Sequence, residues 1–107
     1  MQKKPWGLLF APRREVPSHW RWTINNRLPW GALGWCQASK RTIHINHRIH
    51  CEARVSLLST CIHEDLHRVF PEKREYEIEE LTDDIMALLS ARDKRLLTAR
   101  YRRKLGI

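Results

Sequence analysis

The spacing of apolar residues changes character near the middle of the chain. In the first half, residues 19–24 and 41–46 alternate between apolar and polar positions, which is typical of half-buried strands. Ile43 and Ile45 fall on one face of the second segment and predict its buried side. A further short strand is expected around residues 33–37. The first half of the chain therefore predicts about three strands.

From about residue 52 onward the apolar positions recur at steps of three and four, which indicates amphipathic helices. The first stripe consists of Val55, Leu58, Ile62, Leu66 and Val69. Pro71 should end this helix, a second pattern begins at about Lys73, and a third, basic one follows Ser90. Strands followed by helices predict a single α+β domain over residues 1–107, with a small antiparallel sheet and helices on one of its faces.

The first of these helices contains the sequence His63-Glu64-Asp65-Leu66-His67, an HExxH motif. Residues four apart lie on the same face of a helix, so the two imidazoles can converge on one metal ion. Glu64 would project beside that ion, within reach of a water proton. The spacing therefore predicts that His63 and His67 bind one zinc ion and that Glu64 acts as a general base.

A catalytic zinc ion needs a third protein ligand and an open position. The second helix offers many carboxylates, most of which must be solvated surface groups. Glu80 points away from the flank of the apolar stripe, whereas Glu75 and Glu79 share that flank one turn apart. Glu79, which is followed by Thr82 and an acid at the fourth position, is the preferred third ligand, and Glu75 is the alternative.

These motifs together resemble a known enzyme family. Residues 34–36 (GWC), 42–45 (TIHI) and 57–71 (LLSTCIHEDLHRVFP) look like the small SprT-like metallopeptidases that are common in phage and bacterial genomes. The downstream glutamate helix is similar to that of minimal gluzincin-type enzymes. The resemblance covers about residues 20–90. No histidine follows His67, so the third-histidine arrangement of SprT proteins is absent and a glutamate ligand is implied.

The resemblance implies a zincin-like fold and a zinc metalloendopeptidase activity. Zinc would activate a water molecule and Glu64 would accept its proton. The strand 42–46 would be the edge that pairs with an extended peptide, with Thr42, His44 and Asn46 as candidate substrate-binding residues. Tyr76, or a histidine of the first half, is a candidate oxyanion stabiliser.

The uneven charge of the chain supports an alternative function. Residues 1–50 carry nine Lys and Arg against one acid, residues 51–90 four against ten, and residues 91–107 seven against one. Basic ends can bind nucleic acid or another polyanion, although they can equally be solvated surface. The alternative is a nucleic-acid-associated or phage accessory protein with a structural or vestigial zinc site. The expected partner of the peptidase is a peptide or protein substrate, and that of the alternative is nucleic acid, bound through the basic N-terminal half and tail.

The two ends of the chain differ in composition from its middle. Segment 1–18 is rich in Pro and Trp and is expected to be irregular, and 91–107 is expected to be a basic helical tail.

The three cysteines contain no CxxC pair, so neither a disulfide framework nor a cysteine zinc site is expected. His44, His47 and His50 are better explained as scattered polar positions than as a second metal site. No apolar run is long enough for a membrane span, and a cytoplasmic location is expected, in the host cell if the protein is phage-encoded.

Overall fold

The computed structural model describes residues 20–53 and 56–107, which form a small sheet covered by helices. The three strands are β1 (Arg21–Ile24), β2 (Gly34–Gln37) and β3 (Thr42–Ile45). The four α-helices are α1 (His47–Glu52), α2 (Leu57–Val69), α3 (Glu75–Leu88) and α4 (Ala91–Leu105). Two short 3-10 turns, Pro29–Gly31 and Ala38–Lys40, flank β2. The α+β class predicted from the sequence is confirmed.

The sheet has the order β1-β3-β2, which makes β3 the central strand. β3 runs parallel to β1 and antiparallel to β2. The expectation of an antiparallel sheet was therefore wrong for one of its two strand pairs. In the register of β1 and β3, Trp22 lies opposite Ile43. The alternation within each strand predicts its buried face but not which residues of the two strands pair.

β3 has the alternation that the sequence predicted. Ile43 and Ile45 are fully buried under the helices, while Thr42 and His44 lie on the opposite, outer face of the sheet. A period of two in a strand with one covered face produces this arrangement, because successive side chains point to opposite sides. The inner face of the sheet thus provides one wall of the core.

The predicted start of the first helix was wrong. Residues 47–52 form the separate helix α1, and α2 begins only at Leu57. Each helix has its own N-cap: Asn46 Oδ1 accepts from the Ile49 N–H at 3.1 Å, and Ser56 Oγ accepts from the Ser59 N–H at 3.1 Å. The helix predicted from about residue 52 therefore begins five residues later, and the short helix α1 before it was not predicted. Val55 and segment 1–18 lie outside the described residues.

The basic segment 91–107 is part of the packed domain. Helix α4 buries Leu97, Tyr101 and Leu105 against the core and packs on α2 and β1. The helix predicted there is confirmed, and its apolar stripe contributes to the same core as the buried side of α2. None of the helices in the described part of the chain is long and apolar enough to cross a membrane.

Candidate metal centre

Helix α2 presents both histidines of the HExxH motif to an open cleft. His63 and His67 are partly buried, and their ring centroids lie 4.9 Å apart. Their Nε2 atoms are 3.2 Å apart, so both imidazoles direct the same nitrogen to one point. The opposite side of α2 buries Leu58, Ile62 and Leu66 in the core, which holds the helix orientation that this convergence requires.

The carboxylate that meets the two histidines belongs to Glu75, the first residue of α3. Its Oε1 lies 2.6 Å from His63 Nε2 and its Oε2 lies 2.8 Å from His67 Nε2. His63, His67 and Glu75 form a group that could hold a metal ion, with ligand atoms within 4.8 Å of one another. No other such group occurs among the residues that the structure describes.

Of the two carboxylates predicted as third ligand, the structure places Glu75, the alternative, and not the preferred Glu79, in one group with the two histidines. Helix α2 ends at Val69 and α3 begins at Glu75, so the short connection brings the first turn of α3 opposite the two histidines. Glu79 lies four residues, about 6 Å, further along the helix. It lines the same cleft but is not a member of the three-residue group.

Glu64 is buried beside this group and lies under strand β2. It is only 7% exposed, and the Cys36 backbone N–H donates a hydrogen bond to its carboxylate. Burial, together with the negative charge of Glu75, raises the pKa of Glu64 to about 7, although the Cys36 N–H opposes the shift. In the absence of a bound cation, a carboxyl group here exchanges its proton near neutral pH.

The close approach of β2 to α2 depends on Gly34. A Cβ atom at this position would lie 3.0 Å from both Cγ and Oε2 of Glu64 and 3.1 Å from Cγ2 of Thr60. Such distances are too short for ordinary van der Waals contact, so any larger residue would displace one of these side chains. Gly34 therefore permits the strand to cover the Glu64 carboxylate closely.

Two cavities open beside the triad on either side of Gly34. One, of about 310 Å³, is lined by Gly34, Thr60, His63, Glu64, Glu75 and Glu79, among others. The other, of about 330 Å³, is lined by Gly34, Cys36, His63, Glu64, His67 and Glu75, among others. Both cavities lie between β2 and the first turn of α3, and together they are called the groove; His63 and Glu75 line both of them, and His67 lines the second.

The strand expected to be the substrate edge is not an edge. Both sides of β3 are paired, with β1 and with β2, so its backbone has no free hydrogen-bonding side. Asn46 is buried and caps α1, and His44 is bonded to Asn25 and Gln37. The assignment of Thr42, His44 and Asn46 to substrate pairing was therefore wrong. Among the described strands, β2 is the one whose outer edge borders the groove.

Tyr76 does not lie in the groove. Its side chain is exposed, and it lines neither of the two cavities beside the triad. The neighbouring residue Glu75 faces the histidines, and a side chain one position further along a helix is rotated about 100° away. The structure thus gives no support to the prediction that Tyr76 stabilises an oxyanion.

Among the described residues, the histidines outside the HExxH motif make local contacts. His50 is buried, with Nδ1 2.6 Å from the Asn46 carbonyl and Nε2 2.8 Å from Thr60 Oγ1. His47 Nε2 lies 3.5 Å from Cys51 Sγ. The expectation that these residues and His44 form no second metal site stays a prediction.

Two features of the site were missed in the sequence. Asp65, inside the HExxH motif, is fully buried and bonded to Arg68 and Tyr101. Its place on the apolar side of the α2 stripe was the signal available, because a buried acid requires partners. The Gly34 contact with Glu64 had no such signal, since it depends on how two distant segments pack.

Comparisons of the chain with family models, with curated proteins and with solved structures found no match. The resemblance to SprT-like metallopeptidases therefore rests on the quoted motifs alone and stays a prediction.

Proposed function

We propose that this protein is a zinc metalloendopeptidase. The observation that carries the proposal is the contact of one carboxylate, that of Glu75, with the Nε2 atoms of both His63 and His67. Two imidazoles and one carboxylate are a donor set that catalytic zinc sites use, with the fourth position left for water. The adjacent groove leaves room for that position and for a peptide.

The donor atoms fit zinc in both kind and spacing. Ligand bonds of about 2.0–2.2 Å in a tetrahedral site place neighbouring donor atoms about 3.3 Å apart. The two Nε2 atoms are already separated by 3.2 Å, and the Glu75 oxygens lie 2.6 and 2.8 Å from them. A shift of about half an ångström by Glu75 accommodates the ion. Glu75 is exposed and begins its helix, so this shift disturbs no buried packing.

Glu64 supplies the proton transfers in this proposal. When bound, a zinc ion supplies Lewis acidity that activates a water molecule and polarises the scissile carbonyl. Glu64 accepts a proton from the attacking water and donates it to the leaving amine. The Cys36 N–H donates a hydrogen bond to this carboxylate and holds it in place for both transfers.

Strand β2 is the element to which we assign the substrate backbone. It borders the groove, and none of the described strands pairs with its outer edge. An extended peptide that adds to this edge gains main-chain hydrogen bonds irrespective of its sequence, and its carbonyl groups run beside His63 and Glu64. β2 thus takes the substrate-pairing role that the sequence had assigned to the strand 42–46.

The test compares Glu64→Gln with the wild type and with Glu77→Gln, a control on α3 outside the metal group. We expect the Glu64→Gln protein to bind one zinc ion per chain and to lose cleavage of unfolded protein substrates by at least about 100-fold. Glu77→Gln should keep both zinc and activity. Cleavage by Glu64→Gln at the wild-type rate would exclude Glu64 from the chemistry, and failure of the wild type to bind zinc would exclude the whole proposal.

A second candidate function rests on the surface of α4. Its buried side packs on the core, while Arg92, Arg95, Arg102 and Arg103 are exposed to solvent. A helix with four exposed arginines attracts the phosphates of nucleic acid, with an affinity that falls steeply as salt is added. Retention of duplex DNA that is lost in the Arg102→Glu/Arg103→Glu variant would support this function. Absence of retention at low salt would exclude it, and neither result bears on zinc.

A further inference from the structure

An apolar cleft lies beside the candidate metal centre and is not explained by the proposed chemistry. It has a volume of about 330 Å³, and its lining residues are Leu28, Pro29, Trp30, Ala32, Gly34 and Trp35. Gly34 also lines both cavities around the triad, so the apolar cleft borders the groove at the start of β2. The groove carries the polar and charged groups, whereas this cleft carries two indole rings and aliphatic side chains.

Trp30 forms the outer wall of the cleft, and both its exposure and its backbone conformation are unfavourable for the stability of the fold. Its side chain is 100% exposed, so it contributes no apolar burial to the fold. Its backbone has φ 56° and ψ 27°, in the left-handed region that bulky residues avoid. Strain of this kind persists where the surrounding structure enforces it and is concentrated at ligand-binding sites. A fully exposed indole on such a backbone indicates a surface that becomes covered when a ligand binds.

Trp35, on the opposite wall, is held in a defined orientation. Its indole stacks on the His44 ring, with centroids 5.0 Å apart and planes 18° from parallel. Asn25 Nδ2 donates to His44 Nδ1 at 3.2 Å, and His44 Nε2 donates to Gln37 Oε1 at 3.0 Å. An amide donor on one nitrogen and an amide acceptor on the other fix the neutral imidazole and its ring plane. The wall is thus ordered before any ligand binds, which lowers the entropic cost of binding.

From these contacts we propose that the cleft is a specificity pocket for one large apolar side chain, aliphatic or aromatic, of the peptide substrate. The residue it accepts is next to the scissile bond. This inference rests on the proposed function, because it places the substrate backbone along β2.

The geometry of an extended chain connects the pocket to the groove. Successive side chains of a strand point to opposite faces. Gly34 faces Glu64 and α2, while Trp35 faces the outer side of the sheet. A peptide paired with β2 that directs one residue towards the triad therefore directs a neighbouring residue towards the two indoles. A leucine or phenylalanine there replaces water on apolar surface, while an aspartate would lose hydration without gaining a partner.

The experiment uses decapeptides of Ala, Gly and Ser with one central Leu, Phe, Ala or Asp. Binding is followed by isothermal titration calorimetry on the zinc-loaded Glu64→Gln protein, and cleavage is mapped by mass spectrometry on the wild type. We expect the Leu and Phe peptides to bind at least about 10-fold more tightly than the Ala and Asp peptides, and to be cut beside the central residue.

Variants of the pocket test the assignment directly. Trp30→Gly and Trp35→Ala, each placed in the Glu64→Gln background, should reduce the preference to less than about 2-fold. Leu88→Ala, which removes an exposed apolar side chain elsewhere on α3, should preserve it. The melting temperature of Trp30→Gly should not fall, because glycine tolerates the left-handed backbone. A preference that survives in both tryptophan variants, or equal binding of all four peptides, would overturn the pocket.

The two proposals fail separately in this design. If the binding preference appears and the wild type cuts nothing, the peptidase proposal is lost, and with it the role in cleavage, and the cleft remains only as a binding site for an apolar side chain of a peptide. If the wild type cuts all four peptides equally, the pocket is lost and the peptidase proposal remains.

Discussion

The Tyr101 hydroxyl donates a hydrogen bond of 2.9 Å to Asp65, the third residue of the HExxH motif. Arg68 Nε donates to the other carboxylate oxygen at 2.6 Å. The motif is therefore connected to α4 through its buried side while its histidines face the cleft. Burial, with the nearby charge and hydrogen bond of Asp65, raises the pKa of Tyr101 well above its usual value, so the hydroxyl remains a donor.

Removal of this hydroxyl should destabilise the domain. Tyr101→Phe keeps the ring that packs on Trp22, at a centroid distance of 5.2 Å, and removes only the hydrogen bond to a buried carboxylate. We expect the free energy of unfolding to fall by about 1–3 kcal/mol. Urea denaturation measures this, with Tyr76→Phe, an exposed tyrosine on α3, as the control. Equal stability of the two variants would mean that Asp65 does not depend on Tyr101.

Gly34→Ala should impair catalysis without preventing metal binding. The added Cβ would lie 3.0 Å from Glu64 Cγ and Oε2, so the carboxylate must move from its position under β2. We expect kcat to fall at least about 10-fold, because small displacements of a catalytic group are costly, while zinc content stays at one ion.

The matched control for Gly34 is Gly106→Ala. Gly106 has φ 74° and open space around its Cα, so this variant introduces backbone strain without touching Glu64. It should lower stability by about 1 kcal/mol and leave kcat unchanged. If Gly34→Ala retained full kcat, the close approach of β2 to Glu64 would have no catalytic role.

Much of the fold could be predicted from local patterns, because each pattern follows from the period of a single strand or helix. The alternation around Ile43 and Ile45 placed β3 and its buried face, and the spacing of Leu58, Ile62 and Leu66 placed α2. The parallel pairing of β1 with β3 could not be predicted, since strand order depends on contacts between segments twenty residues apart. The error about the substrate edge followed from that missing strand order.

The candidate site, too, could be predicted from the sequence only in part. His63, Glu64 and His67 were recognisable because their relation is one turn of a single helix. The choice between Glu75 and Glu79 was not, because both lie on one flank of α3 and only the length of the α2–α3 connection decides between them. The HExxH pattern therefore predicted the candidate donors on α2, whereas the spacing along α3 did not decide between two carboxylates.

The metal-free protein should lose stability as the pH rises from about 4.5 to 7. Glu64 has an ordinary pKa of 4.5, and burial and Glu75 raise the pKa in the folded chain to about 7. Between these values the folded state binds more protons than the unfolded state, so stability falls with pH. The total difference is on the order of 3 kcal/mol.

The measurement for Glu64 is the difference in unfolding free energy between the wild type and Glu64→Gln, in chelator, from pH 4 to 8. Subtraction removes the contributions of other titrating groups common to both proteins. Glu64→Gln should gain relative stability steadily through this range, because glutamine carries no charge to bury. A difference that does not change with pH would mean that Glu64 ionises normally in the folded protein.

The most direct test of the metal centre is a zinc titration of the wild type, Glu75→Gln and Glu79→Gln. Both glutamates are exposed residues of α3 and both line the groove beside the histidines, so the two variants are matched in charge and surroundings. We expect Glu75→Gln to weaken zinc binding at least about 100-fold, because it removes one of three protein ligands, and Glu79→Gln to bind as the wild type does. Wild-type zinc affinity in Glu75→Gln, or its loss in Glu79→Gln, would contradict the site described by His63, His67 and Glu75.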